Sequence, residues 1–256
     1  PHLSAHVWHW LSGNPDATPD IQALDNEKFA IASRRNNEHI RIDNAYTSND
    51  QGAQAITDLI DALRIEAQSK ADSNQAPTPA NVQGGNPADL ETAHALVALG
   101  RAAVPALIDE LSNADWAPRT AAAAILGNIG HEARDSAPAL NCALSDASHW
   151  VRRNAAEALG TIAPQDGASS SSLARALSDS YEPVRRNAAL SLAKIGTADD
   201  DAIRALQKSL GDENRYVRFN ALLALQRIGT PAALDALWSD IHNARWCPVT
   251  TRETPY

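Results

Sequence analysis

Three histidines near the start of the chain have a spacing that could hold a metal ion. His2, His6 and His9 lie at i, i+4 and i+7, so a helix would present them on one face. Imidazole is a ligand of divalent transition metals. No Asp or Glu adjoins them, and chain termini tend to fray. They are weak metal candidates; exposed or packed histidines are the alternative, and no metal site is predicted.

No catalytic constellation is recognisable in the rest of the sequence. The two cysteines, Cys142 and Cys247, are too far apart in sequence to suggest a zinc motif or a disulfide framework. The sequence contains no Gly-rich phosphate loop, nucleophile elbow or zinc-protease helix. We therefore predict no catalytic residue and no cofactor.

The second half of the chain is internally repetitive. The motif Val-Arg-Arg-Asn-Ala at 151–155 returns at 184–188, and as Val-Arg-Phe-Asn-Ala at 217–221. Self-similarity with a period of about 33 residues is typical of stacked helical units. We predict an all-α fold, a right-handed α-solenoid of about five helix pairs with a helical N-terminal extension. Small residues should end the first helix of each pair, at Gly130, Ala163, Gly196 and Gly229.

Four regions are predicted along the chain. Residues 1–71 form a helical N-terminal region, with its longest helix over 53–70. Residues 72–88 are rich in Pro and Gly without an apolar period, which predicts a flexible linker. The solenoid covers 89–243, and 244–256 form a C-terminal capping tail. The predicted helix pairs are 89–99 with 103–111, 118–129 with 136–144, 150–162 with 168–177, 183–195 with 200–210, and 216–228 with 231–241.

Polar residues also recur with the period. Each repeat has an Asp six residues before an Arg, which favours a structural ladder in which Asp caps a helix or accepts from the Arg of a stacked neighbour. The asparagine two residues after that Arg is predicted to tie its helix to an adjacent loop. The four serines at 169–172 are predicted to cap a helix and then face solvent. The periodic residues are Asp146, Asp179 and Asp212; Arg152, Arg185 and Arg218; and Asn154, Asn187 and Asn220.

Aromatic residues stand in or beside successive turns between the repeats, so they should line one edge of the solenoid. With nearby arginines they could receive a conjugated ligand that carries carboxylates. The alternative is that the rings pack between adjacent repeats. The candidates are Trp116, Trp150, Tyr181, Tyr216, Arg153 and Arg186.

Phe219 occupies the position that Arg153 and Arg186 hold in the preceding repeats, so it should point toward solvent. Either another segment covers it, or it belongs to an exposed contact patch. The tail 244–249 is apolar enough to fold back as that cover, and terminal repeats need caps.

The composition limits the classes of partner. The 256 residues carry a formal net charge of −9 and a pI near 5.3, which disfavours nucleic acid and an anionic membrane surface. No apolar run reaches membrane-span length. Two cysteines suit a reducing compartment, so we expect the cytoplasm. The chain begins at Pro1 and contains no methionine, so we expect it to be a piece of a longer protein.

The resemblance to a known family rests on Asp146 and on the motif Val-Arg-Arg-Asn-Ala-Ala-Glu-Ala-Leu-Gly at 151–160. This pattern resembles the short HEAT-like repeat of the phycobilisome-lyase type. The resemblance covers about 89–243 and implies a HEAT-like solenoid. The family includes phycobilin lyase subunits, assembly scaffolds and domains appended to unrelated enzymes. In HEAT-like solenoids the second helices usually line the concave face, which would present Asn141, Arg175, Arg204, Gln207 and Lys208 to a partner.

One enzymatic member of the wider group, deoxyhypusine hydroxylase, carries His-Glu pairs on its first helices, where they bind two irons. The corresponding positions here are Arg153-Asn154, Arg186-Asn187 and Phe219-Asn220, which cannot replace those pairs. The His-Glu of this chain, His131-Glu132, follows Gly130 and falls in a turn. A di-iron centre is therefore excluded by the residues at these positions.

We predict a non-catalytic scaffold or adaptor that binds a protein partner. The alternatives are a phycobilin-lyase-like protein that handles a tetrapyrrole, or a HEAT domain appended to an enzyme of the oxygenase type whose catalytic part lies outside this sequence. If the chain is an enzyme, a lyase activity that attaches a chromophore is the expected one.

Overall fold

A computed structural model describes residues 50–73, 91–162, 167–196 and 198–244. These ranges contain helices and turns and no β-strand. Short 3₁₀ segments at Gly100–Ala103 and Gly130–Ser136 precede α3 and α5. The α-helices in chain order are α1 Asp50–Ser73, α2 Glu91–Leu99, α3 Val104–Glu110, α4 Trp116–Ile129, α5 Ala137–Ala143, α6 His149–Ile162, α7 Gly167–Ala176, α8 Glu182–Ile195, α9 Asp200–Ser209, α10 Arg215–Ile228 and α11 Pro231–Ala244.

The first compact unit is Pro1–Ser136. Within it, α1 packs against α2, α3 and α4, and α4 also contacts α2 and α3. Six consecutive residues of α4, 121–126, are buried, and four of them are alanines. Small side chains on most sides of α4 let several helices approach it closely.

The second compact unit is Ala137–Tyr256. Its first helices, α6, α8 and α10, stack on one another in chain order, and its second helices, α5, α7, α9 and α11, form the other layer. Leucines at equivalent positions of successive repeats fill the interior of each layer and are buried. They are Leu159, Leu192 and Leu225 on the first helices and Leu140, Leu173 and Leu206 on the second helices.

Helix ends follow from local chemistry. The Asp199 side chain caps α9 by accepting from the Ala202 amide at 2.8 Å. Pro183 stands in the first turn of α8, where the missing N–H costs nothing. Gly196 and Gly229 end α8 and α10 with φ of 70° and 62°, a left-handed conformation that other residues adopt only with strain.

The predicted all-α solenoid of helix pairs is confirmed, and the helix predicted over 53–70 is α1, which begins three residues earlier and ends three residues later. Residues 1–49 of the predicted N-terminal region, residues 74–88 of the predicted linker and the tail 245–256 lie outside the described residues. Among the helices that the structure describes, none combines the length and the apolar content needed to cross a membrane.

Candidate functional site

An arginine–aspartate ladder links the first helices of the second unit. The Arg152 guanidinium holds the Asp179 carboxylate with Nε at 2.6 Å and Nη2 at 2.9 Å. Arg185 holds Asp212 in the same way, at 2.8 and 3.1 Å. In each arginine, Nη1 donates to the backbone carbonyl six residues earlier, at Asp146 or Asp179. Each arginine therefore joins its own turn to the turn of the next repeat, and the predicted ladder is confirmed.

The ladder aspartates also shape the turns. Oδ1 of Asp146, Asp179 and Asp212 accepts from the backbone amide two residues on, at 2.7 to 2.8 Å. Burial alone would raise the pKa of Asp179 and Asp212. The hydrogen bonds from the arginine and the backbone amide, together with the nearby positive charges, lower both pKa values below the ordinary value. These carboxylates are therefore charged at neutral pH and engaged in the architecture.

Two of the three periodic asparagines connect one helix to the next. Nδ2 of Asn187 donates to the Arg153 carbonyl of α6 at 3.4 Å, and Nδ2 of Asn220 donates to the Arg186 carbonyl of α8 at 3.1 Å. Nδ2 of Asn154 donates to the Trp150 carbonyl in its own helix. The prediction that these residues tie a helix to a loop was wrong, because the first helices approach so closely that the amide reaches the backbone of the neighbouring helix.

Gly160 permits that close approach. The Ser191 hydroxyl donates to the Ala156 carbonyl at 2.6 Å, and a Cβ on Gly160 would lie 2.8 Å from the Ser191 Cα. This contact was not predicted from the sequence. Its only sequence signal is a glycine inside a helical pattern, where glycine is otherwise unfavourable.

The first turn of α6 and the turn before α8 bring three rings together. The His149 ring lies 5.0 Å from the Trp150 ring and 4.3 Å from the Tyr181 ring, and Trp150 and Tyr181 are 6.0 Å apart. The Arg153 guanidinium carbon lies 5.9 Å from the centre of the Trp150 ring. Burial and the Arg152 charge lower the pKa of His149, against an opposing effect of Asp179. Sequence reasoning missed His149, although it stands next to a predicted aromatic candidate.

The other predicted aromatic-edge residues have different surroundings. Trp116, in the first unit, is an exposed residue at the start of α4. Tyr216 is half exposed; the Arg215 guanidinium lies 4.7 Å from its ring centre and donates to its hydroxyl. Arg186 is half-buried. The structure thus joins Trp150, Tyr181 and Arg153 into one cluster.

Basic side chains form a row on the second helices, called here the second-helix basic row. It consists of Arg175 on α7 and Arg204 and Lys208 on α9, and all three side chains are exposed. Arg175 and Lys208 are separated by one period of the repeat, so they hold equivalent positions on helices that pack together. Arg204 lies one turn before Lys208 and pairs with Asp201.

The two predicted polar neighbours of this row differ from each other. Gln207 is exposed on α9. Asn141 is half-buried, and its Nδ2 donates to the Ser169 hydroxyl at 3.1 Å.

The serine run at 169–172 is mostly buried. Ser169, Ser170 and Ser172 lie in the interior, and only Ser171 is partly exposed, with its hydroxyl 2.7 Å from the Asp199 carboxylate. The predicted solvated face was therefore wrong, because these small residues lie where α7 packs against α5, α8 and α9.

Large apolar residues are exposed on the last two described helices. Phe219 and Leu222 on α10 are 62% and 42% exposed, and Leu234 and Trp238 on α11 are 42% and 63% exposed. These four residues are called here the terminal apolar face. Phe219 is exposed as predicted; the tail expected to cover it lies outside the described residues.

Charge is distributed unevenly between the units. Residues 1–136 contain nine Lys and Arg against 18 Asp and Glu, and residues 137–256 contain 13 of each. In the described ranges, no group of three or more His, Cys, Asp or Glu is placed to hold a metal ion. The weak metal candidates His2, His6 and His9 lie outside those ranges.

Comparisons with known proteins agree with this architecture. The family model for HEAT repeats matches residues 104–193 and 170–246, together more than half of the chain. No curated protein matches the sequence.

Two solved structures are similar in fold. An engineered protein aligns with a TM-score of 0.51 and 24% identity over 77% of this chain and 86% of that one. The complex of CpcE and CpcF of phycocyanin lyase from Nostoc sp. PCC7120 aligns with a TM-score of 0.51 and 23% identity, over 67% of this chain and 98% of that chain. From the repeat-by-repeat ladder and the family match, we conclude that the chain belongs to the HEAT repeat family.

Proposed function

We propose that the chain is a non-catalytic scaffold that binds a protein partner through the second helices of its second unit. The observation that carries this proposal is the second-helix basic row. The ladder arginines are bound to carboxylates, whereas Arg175 and Lys208 repeat the same position and remain exposed. Adjacent packed helices are about 8–10 Å apart, so the row fits acidic groups spaced along an extended partner segment.

The proposal is tested by reversing the row. The tagged wild-type chain, an R175E/K208E variant and a K194E control are each purified from the source organism, and the retained proteins are quantified by mass spectrometry. Lys194 is also exposed but lies on first helix α8. We expect a stoichiometric partner to be retained by the wild type and by K194E, and to fall at least tenfold in the double variant. Equal retention by all three proteins, or no stoichiometric protein at all, would contradict the proposal.

A second candidate function is the handling of a conjugated, carboxylate-bearing ligand such as a tetrapyrrole. It is supported by the cluster of Trp150, Tyr181 and Arg153. The Arg153 side chain is half-buried and its guanidinium carbon lies 5.9 Å from the centre of the Trp150 ring, so this guanidinium could pair with a carboxylate of a ligand stacked beside the ring. The absorption spectrum of the same purified protein tests this function. A visible band that is lost in Trp150→Ala or Tyr181→Ala would favour it over the scaffold.

A further inference from the structure

The terminal apolar face corresponds to a surface that is covered in the preceding repeats. Leu222 occupies the position of Ala156 in α6 and Ala189 in α8, which are both fully buried. On α6 this surface is covered by α8, whose Ser191 hydroxyl donates to the Ala156 carbonyl. On α8 it is covered by α10, whose Asn220 and Arg227 donate to carbonyls of α8. The face of α10 is therefore shaped to receive another first helix.

On the second helices too, a residue that is exposed in the last repeat has a buried equivalent in the repeat before it. The cap of α9 is Asp199, and Thr230 has the equivalent role in α11, since its hydroxyl accepts from the Ala233 amide. Aligning the two caps places Leu234 at the position of Ile203, which is only 6% exposed in the repeat before. Both layers thus end in apolar side chains that an additional element would bury.

The last two residues of α11 and the residues that follow it repeat the sequence around the start of a first helix. Asn-Ala-Arg-Trp-Cys-Pro-Val-Thr at 243–250 matches Asn-Ala-Asp-Trp-Ala-Pro-Arg-Thr at 113–120 in five of eight positions. In the earlier copy, α4 begins at Trp116, Pro118 is buried within the first turn, and the Thr120 hydroxyl donates to the Trp116 carbonyl. The shared residues are therefore those that begin a first helix.

The spacing places this copy in register. First helices α4, α6, α8 and α10 begin at Trp116, His149, Glu182 and Arg215, which follow one another at a constant interval. The connection from Gly229 to α11 is two residues shorter than the connection from Gly196 to α9. When the same interval is continued with that shortening, the next first helix is due at position 246, which is Trp246.

We propose that residues 245–256 pack on the terminal apolar face as the beginning of a further first helix, starting just after Trp246. Helix α11 continues to Ala244, so the turn between the two helices is shorter than the five residues that precede each of the other first helices. Residues 245 and 246 can form this turn, since about two residues are enough to join antiparallel helices. Pro248 takes the buried position of Pro118, Val151, Val184 and Val217, where an apolar residue is required. Apolar burial drives this packing.

Hydrogen exchange of the full chain, followed by mass spectrometry, tests the proposal. In the wild type we expect the amides of 249–253 to exchange at least tenfold more slowly than in a synthetic 243–256 peptide. Leu222→Asp should remove this protection. Ala232→Asp is the control, because Ala232 is exposed and holds the position where the preceding repeat carries Asp201. It should leave the protection unchanged.

A second variant is needed because Leu222→Asp could remove the protection by unfolding α10. Trp246→Ala changes only the segment, and it should speed exchange both in 249–253 and in the α10 peptides that contain Leu222. Molar mass from light scattering identifies a competing occupant. The proposal is overturned if 249–253 exchange at the peptide rate in the wild type, if Leu222→Asp leaves them protected with α10 intact, or if the chain forms a dimer that Leu222→Asp dissociates while the segment stays unprotected.

Discussion

The two compact units use polar contacts in different ways. In the first unit, Arg64 of α1 holds Glu110 of α3 through Nε at 3.1 Å and Nη2 at 2.8 Å. Thr92 of α2 donates to Glu66 of α1 at 2.7 Å. Each of these contacts joins two particular helices. In the second unit, the same Arg–Asp contact is used twice in equivalent positions, so one sequence pattern specifies several interfaces.

The comparison shows why a contact that is repeated can be recognised in the sequence. A repeated Asp and Arg at fixed spacing predicts that both serve stacking, whereas Arg64 and Glu110 are 46 residues apart and have no counterpart elsewhere in the pattern. The comparison also distinguishes the side chains that hold the repeats together from those that are free to contact a partner. The ladder side chains are occupied within the second unit, whereas the side chains of the second-helix basic row and of the terminal apolar face are exposed there.

Removing a ladder arginine should have the largest effect on stability. Arg185→Ala leaves Asp212 and the Asp179 carbonyl without their donor in a largely buried setting, and we expect a loss of about 3 kcal/mol in the free energy of unfolding. The matched control is Arg218→Ala, because Arg218 is exposed and its Nη1 contacts two carbonyls. It should cost less than about 1 kcal/mol. Urea unfolding of both variants decides between a ladder and an incidental ion pair; equal losses would contradict the ladder.

A methyl group at Gly160 should also weaken the second unit. Alanine normally stabilises a helix relative to glycine by about 1 kcal/mol, yet Gly160→Ala would force α6 away from Ser191, at a cost of about 2 kcal/mol. Gly167→Ala is the control, since no atom lies within 4 Å of its added Cβ. Thermal unfolding should show a lower Tm for the first variant and an unchanged or higher Tm for the second. A stabilised Gly160→Ala protein would contradict the close approach.

The ion pair specific to the first unit should contribute less than the ladder. Glu110 is only 2% exposed, but Arg64 is about half exposed, so water can reach the carboxylate when the arginine is removed. We expect Arg64→Ala to cost about 1–2 kcal/mol, measured by urea unfolding. Arg101→Ala, whose pair with Asp135 is exposed on both sides, is the control and should be near neutral. A loss of stability for Arg64→Ala that exceeds the loss for Arg185→Ala would contradict the expectation that the ladder contributes more than this ion pair.

The smallest expected effect is a pH dependence at His149. Its pKa is lower in the folded chain, so its contribution to stability is complete above the unfolded pKa of about 6.5 and declines as the pH falls through the folded pKa. His149→Gln should remove this part of the pH dependence and reduce the change in stability between pH 7 and pH 5 by less than about 1 kcal/mol. Urea unfolding at both pH values measures it; an unchanged slope would show that the ring is not desolvated.

Three features could be predicted because the residues that specify them recur in the sequence. They are the helix pairs, the glycine helix ends and the Arg–Asp ladder. The asparagine bonds to neighbouring helices and the burial of Ser169, Ser170 and Ser172 could not be predicted, since they depend on how closely two helices approach. That distance is set by small residues such as Gly160 acting together with a partner in the next repeat. His149 was missed because the following repeats carry Glu182 and Arg215 at its position, so no periodic pattern marks it.

The central claim is that the periodic Arg and Asp residues hold successive repeats together. A double-mutant cycle of Arg152→Ala and Asp179→Ala, followed by urea unfolding at neutral pH, tests this most directly. The guanidinium and carboxylate meet at 2.6 and 2.9 Å with little exposure on either side, so we predict a coupling free energy of about 2 kcal/mol. A coupling within about 0.3 kcal/mol of zero would contradict the claim.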